Sequence, residues 1–152
     1  MPSAIIADAS CFIILAKIDE LPLLGQVYGH LTTTPEVAAE YGEPLPGWVR
    51  IVPVSDQQKQ QLLAIQLDLG ESSAITLALE IPDSTLILDD YKARRIATQL
   101  GLTLTGTVGV LVKAKLRGFL PSIRPLLARI RQTNFRLSSA LEQAALRAAG
   151  EE

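Results

Sequence analysis

Residues 86–95 run from an apolar stretch, Leu-Ile-Leu, into two adjacent carboxylates, Asp89 and Asp90, and then into a segment carrying Lys92, Arg94 and Arg95. In an open α/β sheet, ligands bind outside the carboxyl ends of the strands, so both aspartates are expected at the mouth of a crevice. A second apolar run, residues 3–7, ends in the same way on Asp8. Glu40 and Glu71 fall on expected helices that can pack beside that rim. Four ionised carboxylates brought within several ångströms raise one another's pKa, and a divalent cation resolves the conflict. Oxygen-only ligands select Mg²⁺ or Mn²⁺ over zinc, and such ions usually keep several waters. One of those waters, with its pKa lowered, is a nucleophile for in-line attack on a phosphodiester.

Other chemistries are poorly served. Cys11 is the only cysteine and His30 the only histidine. These counts exclude an intrachain disulfide and a Cys/His zinc site, and they leave no evident Ser-His-Asp triad. A Mg²⁺-dependent phosphatase of similar sheet order would need Asp-x-Asp after the first strand, and Asp8-Ala9-Ser10 lacks the second carboxylate. The 152 residues, 48% hydrophobic and 20% charged, suffice for a single domain, 1–152, and fall short of two. No apolar run reaches the roughly 18 residues of a membrane span, and the N-terminus lacks the basic segment of a signal peptide, so a soluble cytoplasmic protein is expected.

The net charge of −2 conceals a segregation along the chain. Residues 1–90 hold 13 acidic and 3 basic side chains, whereas residues 91–141 hold 10 basic ones and no acidic one. Solvated helix faces can differ in charge by accident. Fifty residues without a carboxylate fit better with a basic surface that holds a polyanion beside an acidic pocket. Lys92, Arg94 and Arg95 adjoin the acids, and Lys113, Lys115 and Arg117 follow on a later helix. At helical spacing Lys113 and Arg117 share a face, which makes them the first candidates for phosphate contact.

Alternating strand and helix signals must position these groups. Strands are expected at 3–7, 30–34, 48–54 (an edge), 85–88 and 102–105, from short apolar or β-branched runs. Helices are expected at 10–17 with Ser10 as cap, 23–28, 35–41 with Pro35 in the first turn, 55–67, from about 71 to 79, 90–100 and 107–117. Two C-terminal helices, 122–131 and 138–149, complete the chain. Repeated β-then-α order with buried strands predicts a parallel sheet with helices on both faces. Trp48, Phe119 and Phe135 are assigned to core or dimer contacts rather than base stacking, and His30 to a strand edge.

Taken in order, Asp8-Ala9-Ser10, Glu40, Gly70-Glu71-Ser72-Ser73-Ala74-Ile75, Leu88-Asp89-Asp90 and Gly106-Thr107-Val108-Gly109-Val110-Leu111 resemble the motifs of PIN-domain proteins. The Leu69–Ala74 run, Asp89-Asp90-Tyr91-Lys92-Ala93-Arg94 and Ala114-Lys115-Leu116-Arg117-Gly118 are similar to a PIN-like subfamily of uncharacterised prokaryotic proteins regarded as toxin-type nucleases. The resemblance covers nearly the whole chain. It implies a Rossmann-like three-layer α/β/α sandwich with a central parallel sheet, its C-terminal helices beginning near residue 121. It implies a Mg²⁺- or Mn²⁺-dependent endoribonuclease, often the toxin of a toxin–antitoxin pair. A small antitoxin that inserts a segment into the groove, and often a homodimer, come with it. Carried onto this chain, it makes Asp8, Glu40, Glu71 and Asp90 the four metal-binding acids, with Asp89 as substitute or companion and Ser10 and Thr107 as supporting hydroxyls. Two departures stand out: the third acid is Asp in many relatives and Glu71 here, and the position that sometimes supplies a further acid reads Thr105-Gly106-Thr107.

Each acid has a plainer role open to it. Asp8 and Ser10 could cap the first helix, Glu71 could favour its helix dipole, and Asp90 could pair with Arg94 at i,i+4. Glu36 lies one turn before Glu40 on the same helix, so either could face solvent. A reading from a different class is a catalytically weak interaction protein whose acidic pocket receives a basic side chain of a partner, or RNA without cleavage.

Overall fold

The computed structural model describes residues 4–152. In chain order its elements are β1 (Ala4–Ala7), α1 (Ala9–Lys17), α2 (Pro22–Tyr28), β2 (Leu31–Thr33), α3 (Pro35–Tyr41), β3 (Val49–Ile51) and α4 (Gln57–Leu63). There follow α5 (Leu69–Glu80), β4 (Ser84–Ile87), α6 (Tyr91–Gln99), β5 (Thr103–Thr105), α7 (Thr107–Leu116), α8 (Arg124–Arg131) and α9 (Ser139–Ala148). The strands form one five-stranded sheet in the order β3-β2-β1-β4-β5. Every pairing is parallel. Helices cover the sheet in an α/β/α sandwich, as the β-then-α alternation predicts. Ser3, expected to open the first strand, lies outside the described residues.

Strands buried on both faces read as apolar runs, as β1 does throughout and β4 does over its second half. Ile6, Ala7, Leu86, Ile87 and Leu88 are fully buried in the core shared by the layers. The chain leaves β1 towards β2 on one side and reaches β5 from β4 on the other, so the order reverses between β1 and β4. That switch point is where an open α/β sheet forms its crevice. Ala7 is in register with Ile87, so Asp8 and Asp89-Asp90 emerge at neighbouring strand ends.

Buried hydroxyls fix the elements around that edge. Thr33 Oγ1 donates to the Ala7 carbonyl at 2.7 Å, immediately before Asp8. The hydroxyls of Thr34 and Ser73 share a 2.7 Å hydrogen bond that ties α3 to α5. Ser73 and Thr76 also reach the backbone carbonyls of Gly70 and Ser72, so the polar groups that α5 buries are satisfied.

Some boundaries depart from expectation. The edge strand is only three residues long, and the helix expected over 55–67 is confined to Gln57–Leu63 before a turn. α5 begins at Leu69 rather than near Glu71, because Asp68 caps it: Asp68 Oδ1 accepts from the Glu71 N–H at 2.7 Å, and the Glu71 side chain accepts from the Asp68 N–H in return. Ser10 is not a cap. Asp8 holds the N-cap position of α1, and its side chain makes no capping bond. Among the described residues no helix is long and apolar enough to cross a membrane.

Candidate active site

At the carboxyl edge of the sheet a cleft of about 650 Å³ is lined by Asp8, Glu40, Asp68, Glu71, Asp89 and Asp90, with Ser10 beside them. All four acids singled out in the sequence face this cleft, together with Asp89. Glu36 does not line it. Its carboxylate accepts a hydrogen bond from Gln60 Nε2, on the face of α3 that meets α4, which resolves the choice between Glu36 and Glu40.

The carboxylates differ in depth. Asp8 is 5% exposed, Glu71 is half-buried, and Glu40, Asp68 and Asp90 stand at the rim. Burial pushes the Asp8 carboxyl up to about 8, against some lowering by the Ala9 N–H, with the charges of Glu40, Glu71 and Asp68 adding to the rise. Glu71 is raised to about 7, chiefly by burial and then by Asp68 and Asp90. Glu40 is raised by burial and by Asp68. Asp8 Oδ1 is buried and has no hydrogen-bond partner among the described residues.

Gly70 lets these groups approach. A Cβ built on it would stand 2.6 Å from Glu40 Oε1, 3.4 Å from Asp8 Oδ1 and 3.5 Å from Asp68 Oδ1. Three acid side chains thus surround one methyl-sized space. Glu40 Oε1 and Asp8 Oδ1 are at most 6.0 Å apart, the sum of their distances to it. Among the described residues, no three carboxylates already sit at ligating distance from one point.

The aspartate pair divides its work. Asp90 caps α6, accepting from the Ala93 N–H at 2.9 Å, and also lines the cleft. The plainer alternative of an Asp90–Arg94 pair does not form, because Arg94 Nη1 instead donates to the Leu88 carbonyl at 2.7 Å. Asp89 turns towards α7. It accepts from the Thr107 N–H (2.8 Å), Thr107 Oγ1 (2.6 Å) and Ser10 Oγ (2.8 Å). Ser10 and Thr107, the two expected hydroxyls, therefore meet on Asp89. A Cβ on Gly106 would come within 2.9 Å of Asp89 Oδ1, so glycine there is what admits the carboxylate.

The cations sort differently from expectation. Lys113 stacks over the Tyr28 ring (5.1 Å to its centroid), Arg117 donates to the Val27 carbonyl at 2.6 Å, and Lys115 binds the Ala149 carbonyl and Glu151. None of the three lines the cleft. The α7 cations hold α2 and the C-terminal segment, and a shared helical face alone cannot reveal such partners. Lys92 is exposed and off the cleft, while Arg94 and Arg95 line a shallow depression that adjoins it through Tyr91. The sequence offered no sign that the turn between α8 and α9, with Asn134, Phe135, Arg136 and Ser138, and the first turn of α9, with Leu141, supply more of the lining. Phe135 is packed partly on the core and partly faces the cleft. Asp68 was also missed, although Asp-x-x-Glu ahead of an apolar run is a readable capping signature.

No curated protein and no solved structure matches the chain significantly. A family model, DUF3368, described as a PIN domain, matches residues 4–151. PIN domains are a nuclease-type fold, and their members typically use divalent metal ions. With a parallel sheet in the expected order and a match over nearly its whole length, the chain belongs to the PIN-domain family.

Proposed function

We propose that this protein is a metal-dependent endoribonuclease that hydrolyses RNA phosphodiesters, acting as the toxin of a toxin–antitoxin pair. The observation that carries the reading is Asp8: a buried carboxylate with an orphaned oxygen, raised to about 8, among Glu40, Glu71 and Asp68. Without a cation such a group is destabilising, so the donor set fits a hard divalent ion. Asp8, Glu40, Glu71 and Asp90 would hold Mg²⁺ or Mn²⁺, with Asp68 and Asp89 beside them. Asp68 and Asp90 each spend an oxygen on a helix cap, and waters would complete the shell. When bound, the ion supplies a Lewis acid and lowers the pKa of a coordinated water.

The chain's own residues do the rest. Asp89, held by three donors, locks the start of α7 against the end of β4 and so fixes the neighbouring Asp90. Asp8 is fixed by its backbone N–H, which donates to the Ile87 carbonyl at 3.1 Å. Ionised Asp8 and Glu71 leave the site acceptor-only, which repels a bare phosphate and makes RNA binding conditional on the cation. The whole chain, 1–152, acts as one domain in this reading, because Asn134, Phe135, Arg136, Ser138 and Leu141 line the cleft that β1 and β4 open.

The test is cleavage of labelled RNA with Mg²⁺ or Mn²⁺. EDTA and Asp8→Asn or Asp90→Asn should each abolish it, with losses of at least about a hundredfold. A small co-expressed antitoxin should silence it, and unchanged activity in its presence would remove the toxin assignment. The carboxylate spacing favours a second reading, since no three acids converge as they stand. There the protein binds a partner's basic side chain or RNA without cleavage, and metal-independent binding with no hydrolysis would favour it.

A further inference from the structure

Among the described residues Tyr91 is the most exposed of the large hydrophobic side chains, at 80%, although it directly follows Asp90 and opens α6. A ring left in water at so fixed a position gains nothing for the fold. It lines two adjoining depressions, the carboxylate cleft on one side and the surface carrying Arg94 and Arg95 on the other. Arg136 is the cation that lines the carboxylate cleft. Its neighbours on the C-terminal elements are engaged: Arg129 with Glu20, Arg131 with Glu142 and Arg147 with Glu152. Arg136 is exposed and has no hydrogen bond or ion pair among the described residues.

We infer that Tyr91 is a base-stacking platform and Arg136 a phosphate anchor, so that a single nucleotide strand crosses the carboxylates between α6 and the α8–α9 turn. The inference rests on the nuclease reading for its substrate and adds the residues that position it. An aromatic face accepts any unpaired base, and the guanidinium, with five donors and no competing partner, suits a flanking phosphate. Arg94 and Arg95 extend the cationic side beyond Tyr91. A base inside a duplex cannot reach the ring without leaving its stack.

The test uses a fluorescein-labelled 12-nucleotide single-stranded RNA and its duplex, with binding followed by anisotropy in Mg²⁺ on the full chain. Tyr91→Ala should weaken single-strand binding about five- to a hundredfold, while Tyr91→Phe and Tyr91→Trp stay within about threefold of the parent. Arg136→Ala should lower the slope of log affinity against log salt by about 0.7, with Arg136→Lys restoring it. Both sites are at the surface, so thermal unfolding should not change. Equal binding by Tyr91→Ala, or a preference for duplex, overturns the platform, and an unaltered salt slope overturns the anchor. If the parent cleaves RNA while the variants bind normally, this inference fails and the nuclease reading stands. Binding that depends on both residues without any cleavage leaves the inference standing and overturns that reading.

Discussion

Asp8 shows how one side chain sets the behaviour of the site. Its native pKa of about 8 lies far above the ordinary 3.8, with burial as the first cause. Between those values the native state keeps a proton that the unfolded chain has released. The unfolded state then binds fewer protons, so stability falls as the pH rises through this window. Below it both states are protonated, and above it both are ionised. Glu71, raised to about 7, adds in the same direction. In EDTA the parent should therefore lose stability from about pH 4 to 8, whereas Asp8→Asn should retain most of it. The variant should melt higher than the parent at pH 8, with the gap closing towards pH 4. On the proposed function Mg²⁺ would bind the ionised native form, so saturating Mg²⁺ should flatten the parent's slope. Parallel melting curves for the two proteins across this range would sink the account.

At the scale of elements, the first turn of α5 carries both a reciprocal cap and a carboxylate of the cleft. Asp68 and Glu71 close its first turn reciprocally, while both face the cleft. Asp68→Ala removes the cap, and Asp68→Asn keeps a capping oxygen while removing the charge. The difference in unfolding free energy between the two variants, measured in urea, should be about 1 kcal/mol in favour of Asn. Equal stabilities would show that the cap contributes nothing. Element type was legible from the sequence because short runs such as 3–7 and 85–88 and the longer periodic segments carry different patterns. The ends of β1 and β4 were legible too, since an apolar run stopping on Asp is local information. Less legible was what depends on distant partners. Asp89 meets Ser10 and Thr107 across 79 and 18 residues, and Arg136 reaches the cleft through the packing of α8 and α9. No spacing rule encodes those meetings.

Over the whole molecule, the segregated charge of the sequence is partly folded back on itself. The basic half does not form one uninterrupted RNA surface. Lys115, Arg124, Arg129, Arg131 and Arg147 bind acids or carbonyls that hold the C-terminal helices. Glu151 is the centre of this clasp. It accepts from the Ser122 hydroxyl, the Ile123 N–H (2.8 Å) and Lys115 Nζ (3.1 Å), tying the start of α8 to α7. The hydrogen bond from Ser122, followed by those from Ile123 and Lys115, outweighs burial and holds its carboxyl down at about 2, below the ordinary 4.5. A depressed acid stabilises the fold above its unfolded pKa and loses that contribution as the pH falls through the native value. Glu151→Gln should therefore melt below the parent at pH 5 and above, and the difference should shrink as the pH is lowered from about 4.5 to about 2. The same clasp supports the elements that place Phe135 and Arg136 in the cleft. The variant should thus also bind single-stranded RNA more weakly at neutral pH, even though residue 151 does not line the site. Reduced melting temperature with unchanged RNA affinity would separate the clasp from the cleft. Loss of both would make the C-terminal helices part of the binding apparatus, a role that the acid motifs at the sheet edge do not reveal.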